Sequence, residues 1–326
     1  MTDLVCLGEA LIDMFPLEHG RRLVDVSAFR PVPGGAPANV AVAAARQGAR
    51  SAFIGKVGDD PFGHHLAAML AQQGVDTHAM RFDPEARTGL NFHAQVDEHT
   101  TTHLFYRNPS ADMLLRSDEL ERALLQGTRA FSFGSISLIQ EPSQGATRDA
   151  ILIARDAGAL IAFDVNYRPG LWPGPDAARD RVMELLPFVD VVKLNEDEAA
   201  LLTGSTDLPT ILERLALLKL ELCVITLGSA GSAYCTAAAS GQVPGFSVQA
   251  VDTTGCGDAF TATLLLQLLS EPGDWRDKLT PAHLERILRR ANAAGALTSL
   301  TQGVFAALPT RESLEQFLQQ HPEPNQ

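Results

Sequence analysis

The sequence predicts an α/β protein with a mainly parallel sheet, helices on both faces of that sheet, and a small separate β-sheet. Short continuous apolar runs alternate with longer stretches of helical period along most of the 326 residues. Parallel strands that are buried on both faces have such uninterrupted apolar sequences. Two stretches, 12–30 and 87–107, carry β-favouring residues and turn signals without a helical period. We expect these two stretches to pair in the small sheet.

Each strand candidate of the main sheet is a short apolar run bounded by turn residues. In chain order these runs are 4–7, 52–57, 130–133, 160–164, 189–194 and 222–226. The helix candidates are 38–47, 62–73, 118–125, 144–157, 177–186, 196–202, 208–219, 259–269, 282–299 and 311–320. Residues 88–95 and 101–106 are predicted to form a hairpin around Asp97-Glu98-His99. We expect one domain over 1–320, followed by a flexible polar tail at 321–326.

The charge and the cysteine content restrict the class of protein. A formal net charge of −13 disfavours nonspecific binding to nucleic acid or to an anionic membrane. No apolar run approaches the ~18 residues of a membrane span, and no leader pattern opens the chain. The cysteines show neither paired nor metal-ligand spacing, as in a reduced cytosolic protein. We therefore expect a cytoplasmic protein that binds neither nucleic acid nor membranes.

The most informative segment is Asp252-Thr253-Thr254-Gly255-Cys256-Gly257-Asp258-Ala259-Phe260, at the start of a predicted helix. Its glycines allow a large group to approach the backbone closely. The N–H groups of a first helical turn have no intrahelical partner and favour an anion. A phosphoryl group that meets a hydroxyl would use both this anion site and the Asp258 carboxylate as proton acceptor. The alternative is a glycine-rich turn that caps a core helix, with Asp258 as an ordinary first-turn acid.

This segment resembles the C-terminal signature of the PfkB (ribokinase-like) carbohydrate kinases, usually D-T-x-G-A-G-D, with Cys256 in place of the common Ala. Pro33-Gly34-Gly35-Ala36-Pro37-Ala38-Asn39 and the Gly-rich stretch 53–63 resemble the N-terminal signature of the same family. The resemblance implies a ribokinase-like (Rossmann-like) fold with a β lid over a sugar site, with ATP as phosphoryl donor and Mg²⁺ as cofactor. It also implies a homodimer through the lid.

By the same resemblance, Asp258 is the general base and the backbone at Gly255, Cys256 and Gly257 is the anion hole. A thiol at a helix N-terminus could have a lowered pKa and be reactive. We favour the simpler interpretation for Cys256, a small residue at a position where only the backbone N–H is used. The implied sugar-binding residues are Asp13, Gly34, Gly35, Asn39, Tyr106, Arg107 and Arg168.

The segment from Phe105 to Leu115 resembles the fructokinase subgroup, and this favours D-fructose, phosphorylated to fructose 6-phosphate. Arg107 and Arg168 carry planar donor forks that suit phosphate or vicinal hydroxyls, although either could form a structural ion pair. A 2-keto-3-deoxygluconate kinase stays open, because its signatures overlap over 164–172 and neither arginine separates the two substrates. A catalytically silent sugar sensor is disfavoured by an intact Asp258 and Glu198. A nicotinamide dehydrogenase would need a G-x-G-x-x-G motif after the first strand, which is lacking.

The nucleotide site has no Walker motif, because no lysine stands in a G-x-x-x-x-G-K-[ST] loop. The family resemblance instead implies nucleotide contacts at Asn195, Thr226, Gly228, Gly231 and Asn292. Glu198 would act on Mg²⁺ through water, since this ion keeps several waters and takes few protein ligands. The same residues also read as a well-capped acidic helix start. A K⁺ site is implied by position, and its residues are Asp252 and Thr254, with carbonyls near Thr298, Thr301 and Gly303.

Overall fold

The computed structural model describes residues 1–18, 20–95, 101–270 and 273–322. Its strands are β1 (Thr2–Leu7), β2 (Leu11–Pro16), β3 (Phe29–Gly34), β4 (Ser51–Gly58), β5 (Met80–Asp83), β6 (Leu90–Gln95), β7 (Thr101–Tyr106), β8 (Thr128–Gly134), β9 (Leu160–Asp164), β10 (Val191–Asn195), β11 (Leu222–Thr226), β12 (Gly231–Cys235) and β13 (Ser240–Pro244). Its helices are α1 (Ala36–Arg46), α2 (Pro61–Gln72), α3 (Arg122–Gln126), α4 (Ser143–Asp156), α5 (Pro175–Leu185), α6 (Glu196–Thr203), α7 (Leu208–Ala216), α8 (Cys256–Leu268), α9 (Pro281–Thr298) and α10 (Arg311–Gln320).

The main sheet has nine strands in the order β13-β12-β11-β10-β9-β8-β1-β4-β5. All neighbouring pairs from β11 to β5 are parallel, and the two strands at the other edge are antiparallel. The predicted fold class, a mainly parallel sheet with a small second sheet, is confirmed. Parallel strands direct their carboxyl ends to one edge, where α/β proteins bind their ligands.

The main sheet separates two apolar layers. Along β1, Leu4 and Cys6 belong to one core, while Val5 and Leu7 belong to the other. The first layer is covered by α1, α2, α8, α9 and α10, and the second by α3 to α7. Because successive side chains of a strand point to opposite faces, a strand that is apolar at every position is buried on both sides. This explains why the main strands were readable as continuous apolar runs.

The small sheet has four strands in the order β3-β2-β6-β7. β2 pairs with β3 in antiparallel and with β6 in parallel orientation, and β6 and β7 form an antiparallel hairpin. The predicted turn residues Asp97, Glu98 and His99 lie outside the described part of the chain. Residues 323–326 of the predicted tail also lie outside it. The domain and lid bounds at 1–320, 12–30 and 87–107 stay predictions.

The prediction missed three short strands, β5, β12 and β13. It also placed the start of α8 three residues late, at Ala259 and not Cys256, and the start of α3 too early. β13 alternates exposed and buried residues at the sheet edge and contains Gly and Pro, so it lacks an apolar run. The helix predicted from Asp118 begins at Arg122, because Ser117–Glu119 form a separate 3₁₀ turn. Among the residues that the structure describes, none of the helices is long and apolar enough to cross a membrane.

Candidate active site

The N-terminus of α8 carries the predicted base. Gly255 caps the helix with φ of 83°, a left-handed conformation that side chains other than glycine rarely adopt. Asp258 follows in the first turn, where unpaired N–H groups create a positive field. The Asn39 Nδ2 atom, in α1, donates a hydrogen bond of 2.7 Å to Asp258 Oδ2. The N-terminal and C-terminal motifs therefore meet in one site.

Asp258 is held in an environment that makes it more basic than an ordinary carboxylate. Burial, with Asp164 nearby, raises the pKa of Asp258 to about 6, although Asn39, Lys193 and Arg168 act to lower it. A carboxylate with this pKa is ionised at neutral pH and still a better proton acceptor than an exposed aspartate. Burial also raises the pKa of the Cys256 thiol to about 12, so this cysteine is a protonated thiol, as the simpler interpretation of its role expects.

Lys193 places an ammonium group beside the same helix start, and the sequence prediction did not assign it. Its Nζ lies 3.1 Å from Asp164 Oδ1, and a Cβ added at Gly257 would lie 3.0 Å from that Nζ. Thr261 Oγ1 donates a hydrogen bond of 2.9 Å to Asp164 Oδ2. Burial alone would lower the pKa of Lys193, but Asp164, Glu198 and Asp258 raise it, so the side chain stays charged. The available signal was a lysine inside an apolar strand, which requires a buried partner.

A cavity of about 970 Å³ opens at the carboxyl ends of the main strands and extends to the small sheet. The predicted site residues that line it are Asp13, Gly35, Asn39, Arg168, Asn195, Thr226, Gly228, Asp252, Thr254, Gly255, Gly257 and Asp258. The predicted site residues that do not line it are Gly34, Tyr106, Arg107, Glu198, Gly231, Cys256, Asn292, Thr298, Thr301 and Gly303. The cavity therefore joins the predicted sugar, phosphoryl and nucleotide positions in one continuous space.

Asp13, on β2, stands where the small sheet meets the cavity. Its Oδ1 lies 2.6 Å from His93 Nε2 and 2.8 Å from Asn91 Nδ2. A Cβ at Gly34 would lie 2.0 Å from Asp13 Oδ2, so only glycine leaves room for this carboxylate. Asn91 and His93 also line the cavity, and the sequence prediction missed both. Polar residues at alternate positions of an otherwise β-favouring stretch were the signal for a polar face.

Tyr106 and Arg107, from the fructokinase-like segment, do not line this cavity, whereas their neighbour Phe105 does. Tyr106 is 61% exposed, and its ring packs edge-to-face on Phe92. Arg107 is buried and pairs with Asp112, to which its Nε donates a hydrogen bond of 3.0 Å. The guanidinium thus forms a structural ion pair, the alternative that the sequence left open. Arg168 lines the cavity and is half-buried.

Glu9 follows β1 and lines the cavity beside the start of α1, a position that the sequence prediction did not assign. Its Oε1 accepts a hydrogen bond of 3.1 Å from the backbone N–H of Ala36. Its Oε2 is buried without a hydrogen-bond partner among the described residues. Burial raises the pKa of Glu9 to about 7, against the lowering effect of its own backbone N–H and of Arg107.

The predicted nucleotide residues divide into two groups. Asn195, Thr226 and Gly228 lie at the carboxyl ends of β10 and β11 and face the cavity. Asn292, in α9, donates its Nδ2 to the carbonyls of Val243 and Pro244, both at 3.2 Å. Asn292 therefore ties α9 to the edge strand behind the cavity and can shape a nucleotide site only indirectly.

Glu198 closes a capping box with Asn195 at the start of α6. One carboxylate oxygen accepts from Asn195 N at 2.8 Å, and the other accepts from Tyr167 N at 2.7 Å. The residue is 1% exposed and does not line the cavity, so both of its oxygens serve the backbone here and its contact with Mg²⁺ through water stays a prediction. Among the described residues, no group of three or more His, Cys, Asp or Glu side chains could hold a metal ion by itself.

The loop before α8 is joined to the loop after α9, where the K⁺ site is predicted. Asp252 Oδ1 accepts hydrogen bonds from Thr254 N and Oγ1, at 2.9 and 2.7 Å. Its Oδ2 accepts from Gly303 N at 3.2 Å. Thr298 is fully buried and bonds the Ala294 carbonyl through its hydroxyl. The Asp252 N–H donates to the Ser299 carbonyl at 3.2 Å, so the loop before α8 contacts the chain that leads from Thr298 to Gly303, and the K⁺ site stays a prediction.

Comparison with known families and proteins agrees with this geometry. The family profile described as pfkB family carbohydrate kinase matches residues 1–311. The chain is 44% identical over 317 residues to probable fructokinase-6, chloroplastic, of Arabidopsis thaliana, covering 97% of this chain and 82% of that protein.

Two solved structures are similar over nearly the whole chain. A fructokinase with bound ATP from Xylella fastidiosa has a TM-score of 0.89 and 33% identity, covering 98% of each chain. A double-mutant fructokinase from Vibrio cholerae O395, bound to fructose, ADP and a potassium ion, has a TM-score of 0.86 and 34% identity, covering 98% of each chain.

Proposed function

This chain belongs to the pfkB family of carbohydrate kinases, and we propose that it transfers the γ-phosphoryl group of ATP to the primary hydroxyl of D-fructose, giving fructose 6-phosphate and ADP. The observation that carries this proposal is the half-buried Asp258 at the start of α8, bonded to Asn39 and flanked by Lys193. The similarity to fructokinases bound to ATP, or to fructose and ADP, supports the choice of both substrates.

In this mechanism Asp258 accepts the proton of the primary hydroxyl as the sugar oxygen attacks the γ-phosphorus. A new oxygen–phosphorus bond forms while the bond from the γ-phosphorus to the bridging oxygen breaks, and ADP leaves with that electron pair. A positioned base of this kind contributes roughly 10²–10⁴-fold to the rate. The raised pKa of Asp258, about 6, suits a group that must gain a proton during the reaction.

Charge that develops on the transferring group is stabilised by the α8 N-terminus and by Lys193. The first-turn N–H groups around Gly257 have no intrahelical partner, and the Lys193 ammonium lies beside them. The Cys256 N–H donates a 3.3 Å hydrogen bond to the Thr253 carbonyl, so in this turn the donor for the phosphoryl group is the Gly257 N–H and not that of Cys256. Gly255, with its positive φ, forms the turn that directs the first-turn N–H groups of α8 toward the cavity.

Sugar hydroxyls are bound by Asp13, Asn39 and Arg168, with the backbone at Gly34 and Gly35 leaving room beside them. The nucleotide lies along Asn195, Thr226 and Gly228, and behind them Gly231 and Asn292 fix the edge strands. Mg²⁺, when bound with ATP, supplies positive charge to the phosphates, and Glu198 would hold one of its waters. Asp252 and Thr254, with the 298–303 loop, would hold K⁺, and a potassium ion is bound in the similar Vibrio fructokinase structure.

We further propose a cytoplasmic homodimer that pairs through the small sheet, which acts as the lid of the sugar site. Leu104 is 44% and Tyr106 61% exposed on the face of the hairpin opposite the cavity. Exposed apolar groups grouped on one face are typical of a surface that another chain covers.

The test is turnover of ATP by the purified protein with D-fructose, 2-keto-3-deoxygluconate, ribose or adenosine as acceptor, with the product identified by NMR. We expect D-fructose to give the highest kcat/KM and the phosphate to be on C6. Preferred turnover of the sugar acid or of a nucleoside would overturn the substrate, while loss of all turnover in a folded protein would overturn the activity.

A further inference from the structure

We propose that Asn91 and His93, on β6, are specificity residues of the sugar site. His93 positions Asp13, and Asn91 Oδ1 accepts a hydrogen bond from a sugar hydroxyl. The proposal deepens the proposed function and rests on it. Both residues line the cavity together with Asp13 and are at least nine-tenths buried. They belong to the small sheet and not to either family signature segment.

Among the described residues, the hydrogen-bond partners of the Asp13 carboxylate meet one of its oxygens, Oδ1. Asn91 Nδ2, His93 Nε2 and Asp13 Oδ1 form a triangle with sides of 2.8, 2.8 and 2.6 Å. Asp13 Oδ2 is turned instead toward Gly34, the residue at the turn into α1. Because Oδ1 is fixed, the direction from which Oδ2 can accept a hydrogen bond from a ligand hydroxyl is fixed as well.

Chemistry decides which atoms of the triangle donate. An unprotonated His93 Nε2 would set two acceptors 2.6 Å apart, so Nε2 carries the proton and donates to Asp13. An Asn91 amide turned the other way would set its oxygen against the same carboxylate, so Nδ2 faces Asp13. Asp13 Oδ1 thus accepts two hydrogen bonds. The third side, 2.8 Å between Asn91 Nδ2 and His93 Nε2, then joins two donors and is a close contact without a hydrogen bond. The Asn91 Oδ1 atom points elsewhere.

Three buried oxygens on the wall of this cavity lack a donor. Asn91 Oδ1, Asn39 Oδ1 and Glu9 Oε2 have no hydrogen-bond partner among the described residues. An amide oxygen can only accept, so Asn91 and Asn39 each need a donor, whereas the carboxyl of Glu9, whose pKa burial raises to about 7, can donate or accept. A ligand rich in hydroxyl groups supplies the donors that such a wall needs, while a ligand carboxylate would face like charge from Asp13. The wall therefore favours a neutral polyhydroxylated sugar over a sugar acid.

The ring of His93 is fixed by stacking as well as by hydrogen bonding. It lies parallel to Phe15 at 4.5 Å and edge-on to His103 at 4.7 Å. Burial, with His93 and Arg168 nearby, lowers the pKa of His103 to about 4, so its ring is neutral at pH 7. A flat, immobilised imidazole is a suitable support for a carboxylate whose direction matters.

The experiment measures steady-state kinetics of the full-length protein with D-fructose and with its singly deoxygenated analogues. Asn91→Ala should raise KM for fructose about tenfold while KM for ATP stays within about twofold, and it should erase the preference for fructose over one deoxy analogue only. His93→Phe keeps the stacking but loses the N–H, so KM for fructose should also rise about tenfold. His93→Gln, which restores a donor, should recover most of this loss.

Thr102→Ala, on the opposite face of the same hairpin, is the matched control and should leave all these values unchanged. The inference is overturned if wild-type protein phosphorylates fructose but Asn91→Ala and His93→Phe keep its KM and its discrimination against every analogue. Equal losses for fructose and ATP, or no recovery in His93→Gln, would also overturn it by indicating a merely structural role. Absence of fructose turnover in the wild-type protein would instead refute the proposed function.

Discussion

The amide of Asn39 donates a 2.7 Å hydrogen bond to the carboxylate of Asp258, although the two residues lie 219 positions apart in the chain. The bond joins α1 to α8, which pack directly against each other. Asn39 thereby does two things at once: it orients Asp258, the proposed base, and it stabilises the ionised form of that carboxylate. A substitution at either residue should consequently alter both sugar binding and proton transfer.

Replacing the base removes the proton acceptor with little change in shape. We expect Asp258→Asn to lower kcat about 10²–10⁴-fold with KM for ATP nearly unchanged, measured by coupled assay. Thermal unfolding should show a protein at least as stable as wild type, because the surroundings of Asp258 disfavour its charged form, as its raised pKa of about 6 indicates. A variant that retains near-normal turnover would contradict the role of Asp258.

The pH dependence follows from the pKa of Asp258, about 6. A base must be ionised, so kcat/KM for fructose should be level above this value and fall tenfold per pH unit below it. Asn39→Ala removes a hydrogen bond that lowers this pKa, and the inflection should move to higher pH. Glu9→Gln should leave the inflection in place, and its disappearance in that variant would assign it to Glu9 instead.

Lys193 lies in a buried ion pair with Asp164 and beside Asp258. Lys193→Met should lower the free energy of unfolding by about 3–5 kcal/mol, because it leaves Asp164 buried without a counter-charge. Urea titration measures this, and adding Asp164→Asn to the same chain should restore part of the loss. In Lys193→Met alone, the pH of the inflection attributed to Asp258 should rise, because Lys193 lowers the pKa of Asp258 in the wild-type protein. Unchanged stability and pH profile would contradict the account.

Space at Gly34 is limited by Asp13. A Cβ there would lie 2.0 Å from Asp13 Oδ2, so Gly34→Ala should displace the carboxylate and raise KM for fructose more than KM for ATP. Gly174→Ala is the matched control, since a Cβ at that glycine meets nothing within 4 Å. Similar kinetics in the two variants would show that Asp13 does not need this position.

Asp252 ties the loop before α8 to Gly303 through a 3.2 Å hydrogen bond. If this loop holds K⁺, adding KCl to a sodium-based assay should raise kcat in the wild-type protein, and Asp252→Ala should abolish that response. Choline chloride at the same concentration controls for ionic strength. Activation that persists in Asp252→Ala would place the ion elsewhere.

Elements that depend on local pattern were predictable from the sequence. Buried parallel strands such as β9 and β11 were located to the residue because they are short, apolar and bounded by turns. The start of α8 was identifiable from its glycines and its acid. β13 was missed because this edge strand carries polar residues, and β12 was missed because its five residues, though buried, include Gly and Ser and form no continuous apolar run.

Contacts between distant segments were not predictable in the same way. Lys193 and Glu9 are single charged residues within apolar stretches of the sequence. Only the fold brings Lys193 close to Asp258 and Glu9 to the start of α1. The Arg107 side chain could bind a ligand by its chemistry, but it forms an ion pair with Asp112, five residues later. A charged residue near a motif therefore needs its three-dimensional partner before a role can be assigned.

The proposed specificity residues and the proposed base belong to different parts of the fold, and this separation has an evolutionary consequence. Asn91 and His93 are on a short strand of the small sheet, whereas the base and the anion-binding turn belong to a helix on the main body. Mutation of two alternating codons on that strand can retune which hydroxyl pattern is accepted while the phosphate-handling machinery stays intact. Acceptor preference can thus diverge among descendants faster than catalysis itself.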